Sequence, residues 1–73
     1  MNIAFDRHAK RRMKWRGISA EEIKVVLEKP DKIEKSYHDK MNAFKIMGRR
    51  KIRVTYKIEP NRIIVISVVD RNN

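Results

Sequence analysis

The chain has no cysteine and no glutamine, and its 73 residues include only two glycines, two prolines and five aromatic side chains. Without cysteine, neither a disulfide nor a thiolate metal site can staple the fold. No apolar run approaches the ~20 residues of a membrane span. The N-terminus lacks the apolar segment of a secretory signal, so a cytoplasmic protein with no membrane partner is expected. Repeats, low-complexity tracts and linkers are also missing, which leaves one domain over residues 1–73. A chain this short buries a small core, and a homo-oligomer or another partner would supply the missing burial.

Acidic residues are scarce. Nine stand against 19 Lys and Arg, for a net charge of +10. The imbalance is uneven: +5 over residues 1–17, −1 over 18–41 and +6 over 42–73. Two basic blocks around a neutral middle imply a polyanionic partner, most simply nucleic acid. The competing reading is the charged surface of a heat-stable protein, which high Lys, Arg and Ile without Gln or Cys also fits.

The residues that are present punctuate the chain clearly. Ile3 to Phe5 suits a short strand, and Asp6 is placed to cap a first helix. That helix runs to about Arg16, and Gly17 sits where a left-handed residue ends it. Ser19 and Glu22 form a capping box for a second helix that runs to about Lys29, with Ile23, Val26 and Leu27 as its apolar stripe. Pro30 and Asp31 stop it. The period then changes. Ile33, Lys35 and Tyr37 suggest an edge strand, Asp39-Lys40 a turn, and Phe44 and Ile46 another strand ending near Gly48. Over Lys51 to Ile58, the residues Ile52, Val54, Tyr56 and Ile58 fall on a core side, and Lys51, Arg53, Thr55 and Lys57 on a wet, basic side. Residues 59–62 form a hairpin loop. Ile63 to Val69, apolar on both faces, reads as a central strand covered on each side. The tail from Arg71 is expected to fray. The fold class is α+β: a two-helix hairpin packed on a small, mostly antiparallel sheet.

The segment His8 to Ser19 reads H-A-K-R-R-M-K-W-R-G-I-S. At helical spacing His8, Arg12 and Arg16 stack in one row, beside an apolar row of Ala9 and Met13. The pattern His8, Ala9, Arg12, Met13, Arg16, Gly17, Ile18, Ser19, followed by Pro30 and the strand pair I-R-V-T-Y and I-I-V-I-S-V-V, resembles a family of small prokaryotic proteins of unassigned function. That family in turn resembles the RelE/ParE superfamily of toxin–antitoxin toxins, which includes RelE and BrnT. The resemblance implies a RelE-like layout and an RNase-like toxin or a descendant of one. It also implies RNA, on the ribosome for many members, as substrate and an acidic antitoxin protein as partner. ParE-type members act on DNA gyrase instead.

Metal-free RNA cleavage uses the 2′-hydroxyl as nucleophile and needs a base, an acid and cations around the phosphorane. No cofactor and no metal is called for. Histidine is the side chain that titrates near neutrality, so His8 is the candidate base or acid. Arg12 and Arg16 are candidates to clamp the phosphate. Tyr56 is a candidate catalytic group if its hydroxyl reaches the sheet rim, and His38 and Tyr37 are further candidates for the second proton transfer. Arg11, Arg49, Arg50, Lys51, Arg53 and Lys57 are candidates to hold flanking phosphates.

Each candidate also has a structural reading. His8 could pack against the sheet edge, and Arg12 and Arg16 could pair with Glu22, Asp70 or Glu59. Trp15 reads foremost as core margin, with base stacking or a partner contact as alternatives. Two histidines far apart do not make a metal site. Two other functions compete with cleavage. One is a non-catalytic RNA-binding module, though not a helix-turn-helix, because Glu21, Glu22 and Glu28 outweigh Lys24 and Lys29 on the second helix. The other is a toxin-like protein-interaction subunit, which predicts a strong apolar edge and is favoured if Tyr37, Phe44 and Trp15 cluster on the surface.

Overall fold

A computed structural model of the chain describes residues 2–71. The elements run β1 (Ile3–Phe5), α1 (Arg7–Arg16), α2 (Ala20–Glu28), β2 (Lys32–Lys35), β3 (Lys40–Met47), β4 (Arg50–Glu59) and β5 (Arg62–Asp70). The strands form one sheet in the order β1-β5-β4-β3-β2. It is antiparallel except where β1 pairs with β5 in parallel. The α+β class expected from the pattern is the class observed, with a mixed five-stranded sheet.

The local signals act as their chemistry requires. The Asp6 carboxylate accepts from the amides of His8 (2.8 Å) and Ala9 (3.1 Å), satisfying two orphan donors of α1. Gly17 ends the helix at φ +64°, in the left-handed region. The capping box of α2 is complete: Glu22 N donates to Ser19 Oγ (3.1 Å) and Ser19 N to Glu22 Oε1 (2.9 Å). The turn between β2 and β3 centres on His38 and Asp39, both at positive φ, the geometry that tightens a two-residue hairpin. His38 is thus a turn residue, at the sheet edge remote from α1.

The core lies between the helices and one face of the sheet. It joins Ala9, Ile18, Ile23 and Val26 to Ala43, Ile52, Val54, Tyr56, Val65 and Val68. Cross-strand register puts Ala43, Val54 and Val68 in one row and Met41, Tyr56 and Val65 in another. α1 rests on β5, and α2 on β3 and β4. Both Val65 and Val68 are buried although three residues apart, because the register shifts between them. Thr55 pairs with Ser67 and Tyr56 with Val65, which leaves Ile66 as the extra residue of a bulge.

Four expectations need correction. Ile58, by alternation a core residue, is 66% exposed, because neither helix covers the end of the β4–β5 hairpin. β5 is covered on one face only: the helices share a single side, so Ile64 and Val69 on the other are half-exposed. Tyr37 lies beyond β2, in the turn. Arg71 is held, its amide donating to Lys51 O at 2.8 Å, while Asn72 and Asn73, expected to fray with it, lie outside the described residues.

Candidate nucleic-acid interface

One flank of α1 gathers the chemistry that the sequence suggested and adds a residue to it. His8, Arg11, Arg12, Lys14 and Trp15 line a shallow concavity made by this helix alone. The spacing explains the set. His8, Arg11, Arg12 and Trp15 stand at i, i+3, i+4 and i+7, and positions seven apart drift by only about 20° around a helix. All five are exposed. None of their side chains has an ion-pair or hydrogen-bond partner among the described residues. Glu22 and Glu59, proposed above as structural partners for Arg12 and Arg16, are instead taken by Arg50 and Arg62. Asp70 accepts from Lys51 N at 3.3 Å.

Arg16 leaves this row. Steps of four residues advance about 40° around an α-helix, so the third member of the row His8, Arg12, Arg16 turns toward the side of Ala9 and Met13. Arg16 is half-buried, its Nε is enclosed without a hydrogen-bond partner, and its guanidinium carbon lies 5.5 Å from the centroid of the Trp15 ring. Trp15 itself is 78% exposed, so it is not core margin. Its place was legible as the i+7 neighbour of His8, and periodicity toward Met13 hid it.

The remaining candidates are dispersed. Tyr56 is 6% exposed and part of the core. Burial pushes its phenol above the ordinary 10.0, which keeps it protonated and makes it a weaker acid, and it does not line the α1 concavity. His38 and Tyr37 sit at the β2–β3 turn, and three strand spacings of about 4.8 Å, roughly 14 Å, separate β2 from the β5 strand under α1. Arg50 faces the helices, opposite Met47, and its Nη1 pairs with Glu22 Oε2 at 3.0 Å and Oε1 at 3.3 Å. It ties β4 to the capped end of α2. Arg49 lies exposed in the β3–β4 turn.

Lys51, Arg53 and Lys57 project from the face of β4 opposite the buried Ile52, Val54 and Tyr56. They form a second basic surface, and the sheet lies between it and α1. Its cations are mixed with apolar groups. Register places Lys32, Phe44, Arg53 and Val69 in one row and Lys57 beside Ile64. Lys32 Nζ and the Arg71 guanidinium carbon sit 5.0 and 5.7 Å from the Phe44 centroid. Trp15 on α1 and Phe44 on this open face are on opposite sides of the sheet, so the aromatic cluster that would favour the interaction-subunit reading does not form.

Among the described residues, no three His, Asp or Glu side chains are grouped as metal ligands, and no helix is long and apolar enough to cross a membrane. No curated protein and no solved structure gives a match to the chain. Residues 5–70 match the domain of unknown function DUF4258, and the chain belongs to that family.

Proposed function

We propose that the protein acts on RNA through the exposed flank of α1, as a toxin-like, metal-independent endoribonuclease of the RelE/ParE type. One observation carries the reading: His8, Arg11, Arg12 and Lys14 share a concavity in which no acidic side chain neutralises them. Arg11 and Arg12 flank the line from His8 to Trp15, and guanidinium groups bind phosphates bidentately. In the proposed step His8 takes the proton of a 2′-hydroxyl as that oxygen attacks the adjacent phosphorus. Arg12 stabilises the negative charge on the phosphorane. The P–O5′ bond breaks, and the 5′-oxygen takes a proton from water or from the imidazolium. The products are a 2′,3′-cyclic phosphate and a 5′-hydroxyl end. Two helices on a largely antiparallel sheet are also the layout of the RelE/ParE superfamily, which supports the relationship as a fold-level analogy. On this reading an acidic antitoxin protein is the partner that masks the basic flank.

A second reading, RNA binding without cleavage, is favoured by a specific feature. His8 is the one histidine lining the concavity, no carboxylate lines it, and Tyr56 does not join it. Controlled expression in bacteria, with new RNA 5′-ends mapped across the transcriptome, separates the two. Cleavage predicts new 5′-hydroxyl ends that vanish with His8→Ala and with Arg12→Ala. On purified protein, chelator should leave cleavage intact, and His8→Ala should slow it by about 10²–10⁴-fold while RNA affinity stays within about twofold. Binding without new ends, equal in wild type and His8→Ala, selects the module. No RNA binding at all removes both readings.

A further inference from the structure

The proposed RNA site contains one side chain that phosphate chemistry does not need. Trp15 is 78% exposed on the same stripe as His8, Arg11 and Arg12. An indole left in water forgoes the free energy of burial, which a flat ligand laid on it would supply. The ring is also held. Arg16 lies against it at 5.5 Å, and the Arg16 stem is anchored, since its Nε is enclosed by the protein. A clamp on one side of the indole leaves the other side open to a flat ligand.

We infer that Trp15 is a base-stacking platform and that the α1 site takes single-stranded RNA with an unpaired base on the indole. This inference rests on the RNA reading above and specifies its substrate class. Cations alone would accept a duplex as readily as a single strand, because both present phosphates. An exposed indole beside them accepts a base only when that base is unstacked from its neighbours and free of its pairing partner. Any base presents a π-face, so the platform selects for strandedness more than for sequence. The span from His8 to Trp15 is seven residues at 1.5 Å each, about 10 Å, so the site holds only a short stretch of strand. Arg11 and Arg12, one on each side of the His8–Trp15 line, are placed to contact the phosphates next to the stacked base. Arg16 is a positioning residue, acting through the ring it clamps.

Trp15 is the chain's one tryptophan, so its fluorescence reports stacking without a label. The purified full chain is titrated with three fluorescein-labelled RNAs of equal length: a single-stranded oligonucleotide, the same backbone with abasic sites, and a duplex. Fluorescein anisotropy reads binding and indole quenching reads stacking. The inference predicts that the single strand binds and quenches, and that the abasic strand and the duplex bind more weakly and leave the emission nearly unchanged. Trp15→Ala should weaken single-strand binding roughly tenfold to a hundredfold and bring it to the abasic level, while Trp15→Phe keeps most of the preference. Arg16→Met should lower the steady-state anisotropy of the indole in the free protein, and Arg16→Lys should restore it. Binding without quenching, or equal quenching by the abasic strand, overturns the stacking inference and leaves the RNA reading standing. No binding of any of the three overturns both.

Discussion

The flank of α1 and the open face of the sheet carry similar positive charge, and they differ in what the charge is doing. On α1, His8, Arg11, Arg12 and Lys14 have no ionic partner among the described residues, and the one large apolar group beside them is an exposed indole. On the sheet, Lys32 and Arg71 lie over Phe44, and the half-buried Arg53 stands in the row between Phe44 and Val69, its Nε enclosed, while Lys51 and Lys57 on either side of it are exposed and without an ion-pair partner among the described residues. Around Phe44 the long side chains cover apolar surface with their stems and keep their charged ends outward. Net charge alone therefore locates nothing. A cation in a packing arrangement must leave it before it can grip a phosphate, whereas a cation with no partner loses only hydration and rotamer freedom.

Reversing charge on each surface should break the comparison if it is wrong. Arg11→Glu with Arg12→Glu is expected to weaken single-stranded RNA binding by roughly a hundredfold or more, and Lys51→Glu with Lys57→Glu by about tenfold or less, with binding followed at fixed low salt. The salt dependence sharpens the contrast. The logarithm of the wild-type binding constant should fall linearly with the logarithm of salt, and the Arg11/Arg12 variant should lose most of that slope.

Phe44→Ala should show the opposite profile. Removing the ring beneath Lys32 and Arg71 is expected to cost about 1–3 kcal/mol in urea unfolding and to leave RNA affinity within twofold. Arg50→Met is smaller, about 1 kcal/mol of stability with unchanged RNA binding, because Arg50 is engaged with Glu22.

The smallest effect concerns Asp31. The hydrogen bond from Ile46 N (2.8 Å), with help from Lys45, holds its carboxyl below the ordinary 3.8. The folded state thus prefers the carboxylate. The stabilisation is present above 3.8 and is lost as pH falls through the depressed value. Asp31→Asn should melt slightly lower than wild type at neutral pH, with the gap closing in acid and RNA binding unaffected.

Much of the fold was legible because local chemistry settles it. Asp6, Gly17 and the Ser19–Glu22 box each satisfy backbone groups within a few residues of themselves, and each acts in the folded chain as its spacing implies. The alternation of β4 located the buried Ile52, Val54 and Tyr56 against the outward Lys51, Arg53 and Lys57. What tertiary packing decides was not legible. Nothing near Ile66 announces a bulge, because an apolar residue fits either side of β5. The exposure of Ile58 depends on where the helices end, not on its own strand. Arg50 lies one position before Lys51 and therefore on the other face, which a reading of the Arg49-Arg50-Lys51 run as one patch overlooks. On α1, His8 and Arg12 were found together because they are one turn apart. Arg16 was misplaced because a row of i+4 steps spirals, and Trp15 because it was weighed against the Ala9–Met13 stripe and not against His8, seven positions before it.

The central claim is that RNA lies on α1 and not on the sheet. Amide chemical-shift mapping of the isotopically labelled protein, titrated with a short single-stranded RNA, tests it most directly. The account predicts saturable shifts concentrated in residues 7–16, including the Trp15 indole N–H, and little change at Lys51, Arg53 and Lys57. Shifts centred on residues 51–57 and 64–69, with residues 7–16 unmoved, would contradict it.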